Sequence, residues 1–176
     1  MPAQSGSLRG SSATGRYTYR ANVPARPQAS AKGERAKLTH ALAAHRQLLS
    51  HASSAIRTLT AARNEMIAQA LEDGLTLATI SAVIGENIRA VRTIGLAYDD
   101  LHPSGLPSGA QVDALRAKSD QLKAAERHRD QITEQREALI VRALRTQACD
   151  DLELASLTGL TPDHIRRSTR GIARPA

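Results

Sequence analysis

The chain is 176 residues long, enough for one ordinary domain or two small ones. It carries 24 Lys+Arg against 17 Asp+Glu, a formal net charge of +7, and all but four of the bases are Arg. There is no Phe, no Trp and three Tyr (Tyr17, Tyr19, Tyr98) beside 31 Ala, too few strand-building side chains for a sandwich, so the expected fold class is all-α. A single cysteine, Cys149, excludes an intramolecular disulfide framework and a cysteine-rich zinc site. No run of 18 apolar residues is present to span a membrane.

The charge is unevenly placed. Residues 1–33 hold Arg9, Arg16, Arg20, Arg26 and Lys32 with no acid, and residues 161–176 hold Arg166, Arg167, Arg170 and Arg174 against Asp163. The stretch between them has 15 bases and 16 acids, so the whole excess sits at the two ends. Localised basicity points to a polyanion partner, most often nucleic acid. The bland alternative is a codon bias toward Arg and Ala.

Residues 1–33 are rich in Ser, Gly, Ala, Pro and Arg and lack apolar periodicity, which predicts a disordered basic tail. The segment has no contiguous apolar stretch of a secretory signal and faintly resembles an organellar transit peptide. A basic arm can settle on phosphates or in a minor groove. An inert tail fits equally well.

Residues 34–99 form the first expected unit. Leu38, Leu42, His45, Leu49, Ala52, Ile56, Leu59, Arg63, Met66 and Ala70 follow spacings of three and four, interrupted by His45 and Arg63. That seam predicts a long helix able to pack on another long helix, either within the chain or across a homo-oligomer. The helix is expected to stop near Glu72-Asp73-Gly74, with Gly74 as a left-handed cap. A second break, DDLHPSGLPSG at Asp99–Gly109, predicts a Pro/Gly linker over residues 100–109. The second unit, 110–176, opens with another long helical pattern to about Leu144, with Leu115, Leu122, Ala125, Ile132 and Leu139 on one side of a very polar middle.

Shifting the chain by 74 residues brings the two units into register without a gap. Met66-Ile67 falls on Ile140-Val141, Ala70 on Leu144, Ile80 on Leu154, Val83 on Leu157, Gly85 on Gly159, Val91 on Ile165 and Arg92 on Arg166. The match is one of hydrophobic class and a shared glycine, as expected for an internal repeat. Each unit ends in a stretch, Thr76–Gly95 or Asp150–Gly171, that reads as a short helix, a glycine turn and a second short helix. Thr76, Asn87, Asp150 and Thr161 stand where N-caps belong, Asp150 with Glu153 approximates a capping box, and Pro162 follows Thr161 at the first helical position. The second copy is weaker past Ile165, since Ser168 stands where the first has Ile94.

These two stretches resemble the helix-turn-helix superfamily of bacterial regulators, including sigma-factor promoter-reading domains and invertase-like or homeodomain-like modules. The resemblance covers about 20 residues per copy plus the preceding helix. It implies that the second short helix of each copy is a recognition helix. The outward residues would then be Asn87, Arg89, Arg92 and Thr93 in the first copy, and Thr161, His164, Arg166, Arg167 and Arg170 in the second. Arg can bridge guanine O6 and N7, and Asn pairs best with adenine. Thr161 would also open a helix N-terminus to a phosphate. For each Arg the alternative is a solvated surface charge. Glu86 and Asp163 sit awkwardly for phosphate contact and suit either base choice or the helix dipole.

Signals for catalysis are lacking. His40, His45, His51, His102, His128 and His164 show no metal-ligand spacing, and no Walker loop, GxGxxG or GxSxG is present. The Asp99-Asp100 pair reads as a helix stop, and Cys149, aligned with Leu75, as a small buried hydrophobe. No catalytic residue, metal or cofactor is expected. The favoured expectation is a double-stranded DNA-binding regulator or architectural factor, cytoplasmic and nucleoid-associated, away from membranes. The alternative is an α-helical coiled-coil assembly protein with basic ends and no sequence-specific readout.

Overall fold

The computed structural model describes residues 27–98 and 101–170. Their regular elements are all α-helices, in the order α1 (Pro27–Glu72), α2 (Leu77–Ile84), α3 (Ile88–Gly95), α4 (Ser108–Arg145), α5 (Asp151–Thr158) and α6 (Pro162–Ser168). Two long helices are thus each followed by a pair of short ones, the arrangement the sequence predicts. Most of the expected tail, the Asp99-Asp100 pair and Arg174 lie outside the described residues. The tail boundary itself moves, because residues 27–33 belong to α1. Pro27 is suited to a first helical turn, and the Ala and Lys that follow are good helix formers. Just beyond, Glu34 is ion-paired with Arg142 and Arg35 with Glu153 at 2.6 Å, which ties the start of α1 to the far end of the chain.

Helices α1 and α4 lie antiparallel. Leu38 and Leu42 share a core with Ile140, Ala143 and Leu144, while Ile67 and Ala70 share another with Leu115. The apolar seam of α1 therefore faces α4 within the same chain, and each predicted seam residue is buried or half-buried. On α4, Leu115, Leu122 and Ile132 are buried and Ala125 and Leu139 half-buried, on the face anticipated from their spacing. His45, one of the two interruptions, donates from Nδ1 to the Ala41 carbonyl at 2.9 Å. Between Leu42 and Ile67 no α1 residue is fully buried, so the hairpin is thin at its middle and thick at both ends.

The thick ends are where the short helices dock. At one end Ile80, Ile84 and Val91 close over Ile67, Ala70, Leu75 and Leu115; at the other Leu154 and Ile165 close over Leu38, Leu42, Ile140 and Ala143. In addition α2 packs on α4 and α5 on α1. Neither core belongs to one unit alone, since each short-helix pair rests on both long helices.

The repeat is real in outline but the gap-free register needs correction. Helix α1 ends in a left-handed Gly74 (φ +91), with Gly74 N–H bonded to the Leu71 carbonyl and Leu75 N–H to the Ala70 carbonyl. Helix α4 ends in the same way at Gln147 (φ +52), with Gln147 N–H on Leu144 and Ala148 N–H on Ala143. Equivalent residues of the long helices are therefore 73 apart, which pairs Leu42 with Leu115, Leu49 with Leu122, Ala52 with Ala125, Arg63 with Arg136, Ile67 with Ile140 and Ala70 with Ala143. The short helices remain 74 apart, Gly85 on Gly159 and Asn87 on Thr161. One residue is inserted at the junction, where Ala148 and Cys149 stand in place of Leu75. Burial pushes the Cys149 thiol pKa up, as its core position requires.

Candidate nucleic-acid interface

Each short-helix pair is built by local signals. In the first, the Thr76 hydroxyl accepts from Thr79 N–H at 3.1 Å and starts α2. Gly85 turns the chain at φ +76, its N–H bonding the Ser81 carbonyl, and Asn87 Oδ1 accepts from Ala90 N–H at 2.8 Å to start α3. Ser81 does more than allow a close crossing, because its hydroxyl donates to the Glu86 carbonyl at 2.5 Å and ties α2 to the turn. In the second pair Asp150 Oδ1 accepts from Glu153 N–H at 2.8 Å, Gly159 turns at φ +73, and the Thr161 hydroxyl accepts from His164 N–H at 3.2 Å. All four caps stand at the residues anticipated for them.

One fully buried side chain pins each second helix, Val91 in α3 and Ile165 in α6. Most of the polar residues around that anchor are exposed. Asn87, Arg89, Arg92 and Thr93 are exposed on the first corner; Thr161, Arg166, Arg167 and Arg170 are exposed on the second, while His164 is half-buried. The sequence-selected residues thus fall on two patches, one at each end of the hairpin.

Their side chains are not equally free. Thr93 spends its hydroxyl proton on the Arg89 carbonyl at 2.9 Å, and Asn87 uses Oδ1 as a cap and keeps its amide N–H groups outward. Arg166 is held by Asp163 at 3.2 Å and by Asp151 at 3.5 Å. Arg167 donates only from Nε to its own helix, to the Asp163 carbonyl at 3.3 Å. At the start of α6, where the sequence suggests a phosphate seat, Pro162 has no N–H and His164 N–H is bonded to Thr161.

The two corners differ in how they sit. A Cβ added at Gly95 would lie 2.5 Å from Cδ1 at the flexible end of Leu71, so α3 runs close along α1 there. Thr169 occupies that position in the second copy, buried, with its hydroxyl bonded to the Ile165 carbonyl at 2.7 Å. Accordingly α6 rests chiefly on α5, with slight contact to α4 at most. Thr158 in turn stands where the first copy has Ile84, its hydroxyl satisfied by the Leu154 carbonyl at 2.7 Å.

Two arginines of α1 matter for the corners and carried no functional signal in the sequence. Arg63, an interruption of the seam, is largely buried and reaches Glu86 in the first turn at 3.4 Å. Arg46 lies beside Gly159 and donates from Nη1 to the Ser156 carbonyl at 3.0 Å, bracing the second turn. Nothing in a linear pattern joins Arg46 to residues more than a hundred positions away.

Among the described residues no cluster of three or more His, Cys, Asp or Glu is placed to hold a metal, and no helix is long and apolar enough to cross a membrane. Comparison with known proteins finds no matching family model, no matching curated protein and no matching solved structure.

Proposed function

We propose that the protein is a non-enzymatic double-stranded DNA-binding factor, a regulator or architectural protein, that reads duplex sequence with α3 and α6. The observation that carries this reading is the repetition of one device. Both second helices are capped by a polar side chain, pinned by one fully buried residue, and open on their outer face with Arg side chains. A side chain beside a buried anchor has its backbone fixed by packing, so a long Arg there can reach into a groove at little ordering cost. Arg89, Arg92, Arg167 and Arg170 are the groups suited to guanine edges or phosphates, and the Asn87 amide to an adenine. The basic segment 1–26 would add counterion release without base readout.

The alternative, a helical assembly protein, needs a seam with which to bind other copies. Here α1 and α4 cover one another's seams, which leaves that reading with less to rest on. A gel-shift selection from random duplexes separates the two. An enriched motif supports the DNA-reading function; salt-sensitive binding with no enrichment supports assembly with loose nucleic-acid contact.

A further inference from the structure

We infer that this single chain acts as a built-in dimer, reading two different half-sites in inverted orientation at a fixed separation of about one DNA turn. The inference rests on the DNA-binding reading above and adds the form of the target.

Orientation comes first. Antiparallel packing of two equivalent helices relates the units by an approximate twofold axis near the middle of the hairpin, which exchanges α1 with α4 and α2 with α5 and sets α3 and α6 at opposite ends, α6 lying looser on α4 than α3 lies on α1. A twofold presents equivalent helices to one duplex in opposite directions, the relation between the halves of an inverted repeat. A head-to-tail pair of modules on a string would give direct repeats instead.

The separation follows from the long helices. On α1, Leu42 belongs to the core under the second corner and Ile67 to the core under the first, 25 residues apart. On α4, Leu115 and Ile140 mark the same two cores, again 25 residues apart. At a rise of 1.5 Å per residue both intervals span about 38 Å, close to the roughly 34–36 Å between half-sites one turn apart. The first corner rests on both long helices and the second chiefly on α1, with Ile165 sharing a core with Ile140 and Ala143. The return loop is fastened where Asp73 accepts from Ser104 N–H at 2.5 Å and from Gln111 Nε2 at 2.6 Å.

The half-sites must differ because the two faces do. In the 74-residue register Asn87 faces Thr161, Arg89 faces Asp163 and Thr93 faces Arg167. The one shared base, Arg92 with Arg166, makes no ion pair among the described residues in the first copy and is tied to two carboxylates in the second. A perfect palindrome would satisfy one face and mismatch the other.

The test uses the full chain and duplexes recovered by random selection, then the best duplex with 5 or 10 base pairs inserted between its halves. We expect two unlike, inverted elements with centres about 10–11 base pairs apart. Either insertion should lower affinity at least tenfold, the 5-base-pair one by rotating the second half away and the 10-base-pair one by exceeding the span. Footprints at both elements with one protein per duplex would complete the support. A single enriched element, direct repeats, free tolerance of the 10-base-pair insertion, or one protein joining two duplexes would overturn the inference while leaving DNA reading intact. No enrichment at all would overturn both.

Discussion

Arg167→Ala isolates base reading from everything else the second corner does. The Arg167 side chain is exposed and makes one long hydrogen bond to its own helix, so its removal should change folding stability by no more than about 0.5 kcal/mol. If the guanidinium forms a bidentate contact to guanine, its loss should cost ~1–3 kcal/mol on the cognate duplex, or roughly 5- to 150-fold in Kd. Arg166→Ala provides the contrast. Its guanidinium must leave Asp163 and the largely buried Asp151 before it can reach a base, and its deletion leaves the exposed Asp163 carboxylate without that ion pair. We therefore expect Arg166→Ala to weaken cognate and scrambled duplexes alike, and Arg167→Ala to weaken the cognate one selectively. Fluorescence anisotropy at one fixed salt concentration, with thermal melts of both variants, measures all four numbers. Equal loss on both duplexes for Arg167→Ala would reduce it to a phosphate contact and refute the reasoning.

Gly85→Ala should cost ~1–2 kcal/mol from its positive φ alone, since a Cβ there meets open space. Gly159→Ala should cost more, because its Cβ would stand 3.3 Å from Arg46 Nε and disturb the bond to Ser156; in an Arg46→Ala background urea melts should find the two penalties equal. Deleting residues 1–26 removes four Arg and should flatten the log Kd against log salt slope by up to about 3.6, at roughly 0.9 per phosphate contact, without changing which duplex is preferred. Because burial raises the Cys149 thiol pKa, the unfolded chain loses that proton first as pH climbs past the free-thiol value of 9.0, and folding stability should fall there; Cys149→Ala should flatten that part of a stability-against-pH curve.

The elements of the fold were legible in the sequence because their signals are local. Gly74, Gly85 and Gly159 sit at positive φ, where a missing Cβ is the advantage, and Thr76, Asn87, Asp150 and Thr161 each satisfy an orphan N–H three residues on. The one-residue slip between the long helices was not legible. Apolar positions recur at three and four, so shifts of 73 and 74 both match hydrophobic class, and only the hydrogen bonds around Gly74 and Gln147 separate them. Gln147 hid the second cap because it takes a left-handed conformation where glycine is the usual marker. The exposed faces of α3 and α6 were readable from one buried anchor per helix. The pairing of Arg166 with Asp151, and the reach of Arg46 and Arg63 to the turns, depend on chain segments far apart in sequence and needed the fold.

The most direct test of the central claim is an amide chemical-shift titration of the isotope-labelled protein with its selected duplex. The account predicts the largest shifts in two separate stretches, Asn87–Thr93 and Thr161–Arg170, with the middle of the hairpin around Ile56 and Arg129 unmoved. Shifts centred on that middle, or confined to the basic segment 1–26 with both short helices silent, would contradict it.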